Sequence, residues 1–209
     1  MAKVKVSGLT NYNDALNATN LGADFLSFSF IKESPKKVSE KLFLDITSKL
    51  PPFINCVAVF GRNKQKDILR IIKKYSIKNV QFNEEISSEI CKSIKETQNI
   101  KIFKYFKINQ ESDILALASY KDIADYFVLS VDCINGQSSK DSYDIVLKAI
   151  DLKVPIFVDV DVMTQLDEIK NFVKNVNPYG FDSDSLIERL AKRKDYDKMS
   201  VFVKTSHGF

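Results

Sequence analysis

The feature that most constrains this 209-residue chain is an alternation, repeated about eight times, between short runs rich in Val, Ile and Phe and longer amphipathic segments. The short runs fall at 4–6, 25–30, 56–60, 79–82, 100–106, 126–130, 155–160 and 180–182. They are mostly apolar throughout, as strands of a parallel sheet covered on both faces should be. Helical patterns lie between them, at 12–21, 40–50, 64–75, 85–97, 111–120, 142–151, 164–176 and a last segment over 184–204. In 64–75 the apolar Ile68, Leu69, Ile71, Ile72 and Tyr75 recur at helical spacing above a lysine-rich outer face. Eight strand-and-helix units with no Pro/Gly linker predict one (β/α)8 TIM barrel, a single α/β domain over residues 1–209. An open doubly wound sheet would need a glycine-rich dinucleotide turn after the first strand, and Ser7-Gly8-Leu9-Thr10 does not supply one.

Composition narrows the function classes. Lys+Arg 31 against Asp+Glu 27 leaves a net charge of +4, small and scattered, which argues against nucleic acid as a partner. Cys56, Cys91 and Cys133 are odd in number, widely spaced and without a Cys-x-x-Cys pair, which argues against a disulfide framework or a zinc site and fits a reducing cytoplasm. The opening Met-Ala-Lys-Val-Lys-Val alternates charge with apolar residues, and no uncharged run approaches the ~20 residues of a membrane span, so no membrane role is expected.

In a barrel, chemistry belongs at the carboxyl ends of the strands. Those positions carry a resemblance. Lys3-Val4-Lys5-Val6-Ser7-Gly8-Leu9-Thr10 is similar to the opening of the phosphoribosylanthranilate isomerase family, whose first strand ends in Lys-Ile-Cys-Gly-Ile/Leu-Thr. Phe28-Ser29-Phe30 with Ser34-Pro35-Lys36 resembles its Phe-x-Phe…Ser-Pro-Arg, with Lys36 at the arginine that holds the substrate's carboxylate. Pro51-Pro52-Phe53 with Val57-Ala58-Val59-Phe60 matches its third-strand entry, and Val80-Gln81-Phe82-Asn83 stands where the family has Val-Gln-Leu-His-Gly. Pro178-Tyr179-Gly180-Phe181-Asp182 and Lys194-Asp195-Tyr196-Asp197-Lys198 resemble its eighth strand and the start of its last helix. The resemblance implies a TIM barrel without cofactor or metal that performs an Amadori-type isomerisation of N-(5-phosphoribosyl)anthranilate in tryptophan biosynthesis. Its partner would be that small phosphosugar-anthranilate substrate, with the protein a monomer or homodimer, beside other tryptophan-pathway enzymes.

The departures from the family fall where it does its chemistry. Its catalytic cysteine aligns with Ser7, and an alcohol, unlike a thiol ionising near ~8.5, needs a separate base beside it. The sequence shows no helper for Ser7; the one histidine, His207, lies two residues from the end and reads as a disordered tail. The family's acid, an aspartate, aligns with Ser130, and Asp132 two residues on lies on the same side of a strand, about 6–7 Å higher, as a possible substitute. Its phosphate-binding glycine loops read Asp159-Val160-Asp161-Val162 after strand seven, Ser183-Asp184-Ser185 after strand eight and Gly136-Gln137-Ser138-Ser139 after strand six. A carboxylate ~4 Å from phosphate repels it by about 4 kcal/mol per charge pair at a surface-like dielectric.

The candidate set is therefore Ser7, Ser130 and Asp132 for catalysis, and Lys36, Gln81, Asn83, Asp159, Asp161, Asp182, Ser183 and Asp184 for substrate binding. Lys36, followed by Lys37, reads equally as a solvated residue. Asp132, Asp159, Asp161 and Asp184, with Glu84, would also make an acidic mouth of the kind that suits a divalent cation. Cys133 reads as a relocated thiol base or a small buried hydrophobe. Three readings follow: the isomerase with a rebuilt acid and base, a catalytically degenerate barrel acting as a binding or assembly partner, and an enzyme of new specificity using the acidic mouth.

Overall fold

The computed structural model describes residues 1–131, 139–163 and 168–208, with the side chains of 139–141 left aside. Eight parallel strands close into a barrel in sequence order: β1 (Lys3–Val6), β2 (Phe25–Ser29), β3 (Asn55–Phe60), β4 (Asn79–Phe82), β5 (Lys101–Ile108), β6 (Tyr126–Val131), β7 (Ile156–Asp159) and β8 (Gly180–Ser183). The barrel closes where β8 pairs with β1, Lys5 opposite Asp182 and Val6 opposite Ser183.

Helices alternate with the strands: α1 (Tyr12–Leu21), α2 (Glu40–Thr47), α3 (Gln65–Lys74), α4 (Ser88–Thr97), α5 (Ile114–Ala118), α6 (Ser139–Ile150), α7 (Glu168–Asn175) and α8 (Tyr196–His207). Four of these helices start at side-chain caps. Asn11 accepts from the Asp14 amide, Ser39 from Leu42, Ser87 from Ile90, and Asp195 from Asp197 and Lys198. The Ser87 cap explains why α4 begins three residues later than its pattern suggests: 83–86 is spent on a turn in which the Ile86 amide donates to the Asn83 carbonyl.

The last segment corrects the expectation of one long helix over 184–204. A hairpin of β9 (Glu188–Leu190) and β10 (Arg193–Lys194) precedes α8. It forms because Lys194 turns inward, its ammonium donating to the backbone carbonyl and the carboxylate of Asp184, each at 2.6 Å. Nor is His207 a loose tail. It ends α8 with its two ring nitrogens 3.0 Å from the Ala2 carbonyl and 3.4 Å from that of Gly22.

The core has two layers. Outward-facing strand residues and the helices' apolar stripes form the larger one, to which the buried Cys91 contributes as a small apolar group. Inside the barrel Phe25, Val57, Phe103, Val128 and Phe157 fill the amino-terminal half, with Phe25 edge-on to Phe103 at 5.2 Å and to Phe157 at 5.8 Å. Gly180 leaves the room for this: a Cβ there would lie 2.5 Å from the Phe157 ring and 2.6 Å from the Lys3 carbonyl. Because side chains alternate along a strand, the inward positions one step beyond this apolar floor include Lys5, Ser27, Gln81, Tyr105, Ser130, Asp159 and Asp182, and Val59 is the apolar member of that layer.

Candidate active site

At the carboxyl-terminal mouth a cavity of about 270 Å³ is lined by Ser7, Gln81, Asn83, Tyr105, Asp159, Asp161, Asp182, Asp184 and Lys36, among others. Its first wall comes from β1 and β8. Lys5 on β1 and Ser7 just past its end both reach Asp182 across the closing seam. The buried Lys5 ammonium lies 2.7 Å from Ser7 Oγ and 2.7 Å from Asp182 Oδ2, while Ser7 Oγ donates to Asp182 Oδ1 at 2.5 Å. Burial pushes the Asp182 carboxyl above its ordinary range, against the pull of Lys5 and of the Ser7 hydroxyl. Ser7 is thus part of a closed serine–lysine–aspartate array, which corrects the expectation that it lacks a helper. The missed signal was the strand period itself: two residues before Ser7 stands Lys5, on the same face.

The second wall is β5 to β7. Asp159 lies opposite Ser130 on one side and Asp182 on the other in the strand register. Burial raises its carboxyl to about 8, helped by the negative Asp161 and Asp182, so that near neutral pH it carries its proton. Ser130 is buried and holds the Tyr105 hydroxyl, whose ionisation burial pushes far up. Gln81 donates to Asn83 Oδ1 at 3.2 Å, and its own Oε1 is buried without a hydrogen-bond partner. A buried acceptor left without a donor is costly.

The third wall is the loop after β8, and here the acidic residues do not sit as repelling charges. Asp161 Oδ1 accepts from Ser183 Oγ (2.9 Å) and the amides of Asp184 (2.9 Å) and Leu186 (3.1 Å), and Oδ2 accepts from the Ser185 amide (2.7 Å) and hydroxyl (3.0 Å). Asp184 is gripped by Lys36 and Lys194, each at 2.6 Å. Burial alone would raise its carboxyl, but the two ammonium groups outweigh that and hold it low. Gly8, at φ +66°, lies directly beneath; a Cβ there would run into the Asp184 carboxylate.

Among the described residues no group of three or more His, Cys, Asp or Glu side chains is placed to hold a metal ion. Lys36 is neither solvated nor free: it bridges Asp184 and Glu188 (2.9 Å), and their hydrogen bonds overcome burial to raise its ammonium above the ordinary value. Glu84 lies apart from the mouth cavity, accepting from the Lys107 amide at 2.6 Å. Asp132, Cys133 and Gly136-Gln137-Ser138 lie outside the described residues. Lys5, which sequence reasoning missed, completes the set.

A parallel barrel whose carboxyl-terminal mouth brings a buried serine–lysine–aspartate array beside a second buried carboxyl on the neighbouring strand has the construction of a (β/α)8 enzyme. The comparisons with known proteins specify it. The family model for N-(5'phosphoribosyl)anthranilate (PRA) isomerase matches residues 4–205. The chain is 30% identical over 198 residues to the N-(5'-phosphoribosyl)anthranilate isomerase of Petrotoga mobilis, covering 93% of this chain and 92% of that one. A crystal structure of phosphoribosyl anthranilate isomerase in complex with reduced 1-(o-carboxyphenylamino)-1-deoxyribulose 5-phosphate matches with a TM-score of 0.87 at 25% identity, covering 100% of both chains. Monomers generated from the dimeric enzyme of Thermotoga maritima match with a TM-score of 0.86 at 24% identity, again over 100% of both chains. The chain belongs to the phosphoribosylanthranilate isomerase family.

Proposed function

We propose that this chain catalyses the Amadori-type isomerisation of N-(5-phosphoribosyl)anthranilate, in the cytoplasm, as a monomer or homodimer beside the other enzymes of tryptophan biosynthesis. The observation that carries the reading is the placement, in one cavity, of the Ser7–Lys5–Asp182 array beside the buried carboxyl of Asp159 on the neighbouring strand. The reaction needs one proton delivered to the ribose ring oxygen and one removed from C2 of the opened sugar, the carbon next to the anomeric carbon. Asp159, one strand on from the family's usual acid position, delivers the first, opening the ring to the iminium form. Ser7 Oγ takes the second while its own proton passes to Asp182 Oδ1, and Lys5 balances the charge of that carboxylate before transfer. The enol-amine so formed returns to the keto product, and solvent exchange returns the proton from Asp182 to Asp159.

This arrangement answers the loss of the thiol. An alcohol is a poor base alone, but a hydroxyl hydrogen-bonded to a carboxylate whose proton affinity is raised by burial acts as a relay for it. Gln81 Oε1 offers its unused acceptor to a sugar hydroxyl or the arylamine N–H, with Asn83 beside it. Lys36 is the cation available to the anthranilate carboxylate, shared with Asp184 and Glu188. Ser130 serves by fixing Tyr105, and Asp161, Ser183 and Asp184 frame the position of the substrate's phosphoryl group.

Complementation of a tryptophan auxotroph lacking this isomerase tests the proposal. Growth with the unmodified chain and none with an equally expressed Ser7→Ala variant is expected. Failure of the unmodified chain would favour a barrel that has lost catalysis.

A further inference from the structure

We infer that Asp161 is a built-in anion that keeps the mouth's oxyanion site filled while the protein is empty, and that a phosphoryl group enters this site only by displacing it. The inference rests on the isomerase reading for the identity of the phosphoryl compound, and on geometry alone for the site. Five donors converge on a single carboxylate: the backbone amides of Asp184, Ser185 and Leu186 and the hydroxyls of Ser183 and Ser185, all between 2.7 and 3.1 Å. Three successive amides turned to one point form a concave nest whose partial charges favour a compact oxyanion. The nest comes from the β8 loop, whereas its occupant comes from the loop after β7, 22 to 25 residues away in the chain. Both line the cavity that holds Ser7 and Asp159. Gln81, from β4, lines the same cavity, and its side-chain Oε1 is buried without a hydrogen-bond partner.

The geometry changes the meaning of the acidic substitution. An aspartate near a phosphate site would merely repel; this one is itself the bound anion. Because it is tethered, an external phosphate competes against a group present at an effective concentration in the millimolar range or above. The consequence is selective: weak binding of small oxyanions on their own, and entry of a phosphoryl group only when the rest of its molecule supplies further contacts. Occupancy also matters to the acid. The Asp161 charge contributes to holding the Asp159 proton, and a phosphoryl dianion in its place would do the same. The site thereby keeps its acid loaded with either occupant.

Titration calorimetry of the full chain with inorganic phosphate at fixed ionic strength tests the inference. The unmodified protein should bind weakly. Asp161→Ala should bind at least tenfold more tightly, and adding Ser185→Ala to Asp161→Ala should reverse part of that gain. Should Asp161→Ala fail to fold by circular dichroism, Asp161→Asn keeps acceptor contacts to the amides while removing the charge, and phosphate should then raise its melting temperature more than that of the unmodified chain. Folded variants with no gain in phosphate binding would overturn the inference. A gain in phosphate binding without isomerase turnover would leave the inference standing and defeat the isomerase reading instead; turnover without the gain would place the substrate's phosphoryl group elsewhere.

Discussion

Asp159 and Ser7 show how much one neighbour can change what a residue does. A carboxyl at the end of a strand is ordinarily ionised above pH ~4, but burial beside Asp161 and Asp182 lifts Asp159 to about 8. Between those values the folded chain holds a proton that the unfolded chain has released. Stability therefore falls as pH rises through that window and levels off above it. Replacing Asp159 by Asn should flatten this slope, seen as a urea midpoint that changes less between pH 5 and about 8 than in the unmodified chain; an unchanged slope would mean that Asp159 ionises normally. Part of this residue-scale picture was legible. Period-two alternation places Lys5 with Ser7 and Asp159 with Asp161 on single faces. What one strand's sequence cannot show is the pairing across the closing seam, because Lys5 meets Asp182 177 residues away.

At the scale of elements, the mouth is held by contacts that come from outside the barrel. Lys104 on β5 faces outward and is fully buried, with its ammonium donating to the carbonyls of Asn83 (2.6 Å) and Ile86 (2.9 Å) and lying 4.7 Å from the Tyr120 ring centre. It therefore pins the turn after β4 that brings Asn83 to the cavity. Burial lowers its pKa to about 8, against the pull of Cys91, Glu84 and Glu85. Between that value and its ordinary 10.5 the unfolded chain binds a proton the folded chain has lost, so stability gains with rising pH there. Lys104→Met should remove that gain, lower stability at neutral pH by about 1–3 kcal/mol through the lost charged hydrogen bonds, and speed amide exchange over 84–87. Unchanged exchange in that turn would show that Lys104 does not hold it. The hairpin at 188–194 was illegible for a related reason. Glu188-Arg189-Leu190-Ala191-Lys192-Arg193-Lys194 has the composition of a helix, and tertiary contacts fold it otherwise, among them the Lys194 ammonium on Asp184 and the Lys194 amide on the Asp14 carboxylate.

Across the whole molecule, the eightfold alternation was enough to specify the barrel, because strands apolar on both faces followed by amphipathic helices have few other ways to bury their surface. The barrel in turn specifies where chemistry can occur, and every inward polar residue described above follows from strand parity plus closure. Its chemistry is what closure adds. Two carboxyl groups with raised proton affinity, one of them linked to a serine, face one cavity because they are register partners on adjacent strands. The most direct test of this account is the kcat/KM for N-(5-phosphoribosyl)anthranilate of the purified chain and its Asp159→Asn variant across pH 6–9. Turnover that declines above a pKa of about 8 is expected, with a loss of at least about hundredfold in the variant, the usual contribution of a general acid. Absence of turnover in the unmodified chain, or an Asp159→Asn variant as active as its parent, would contradict it.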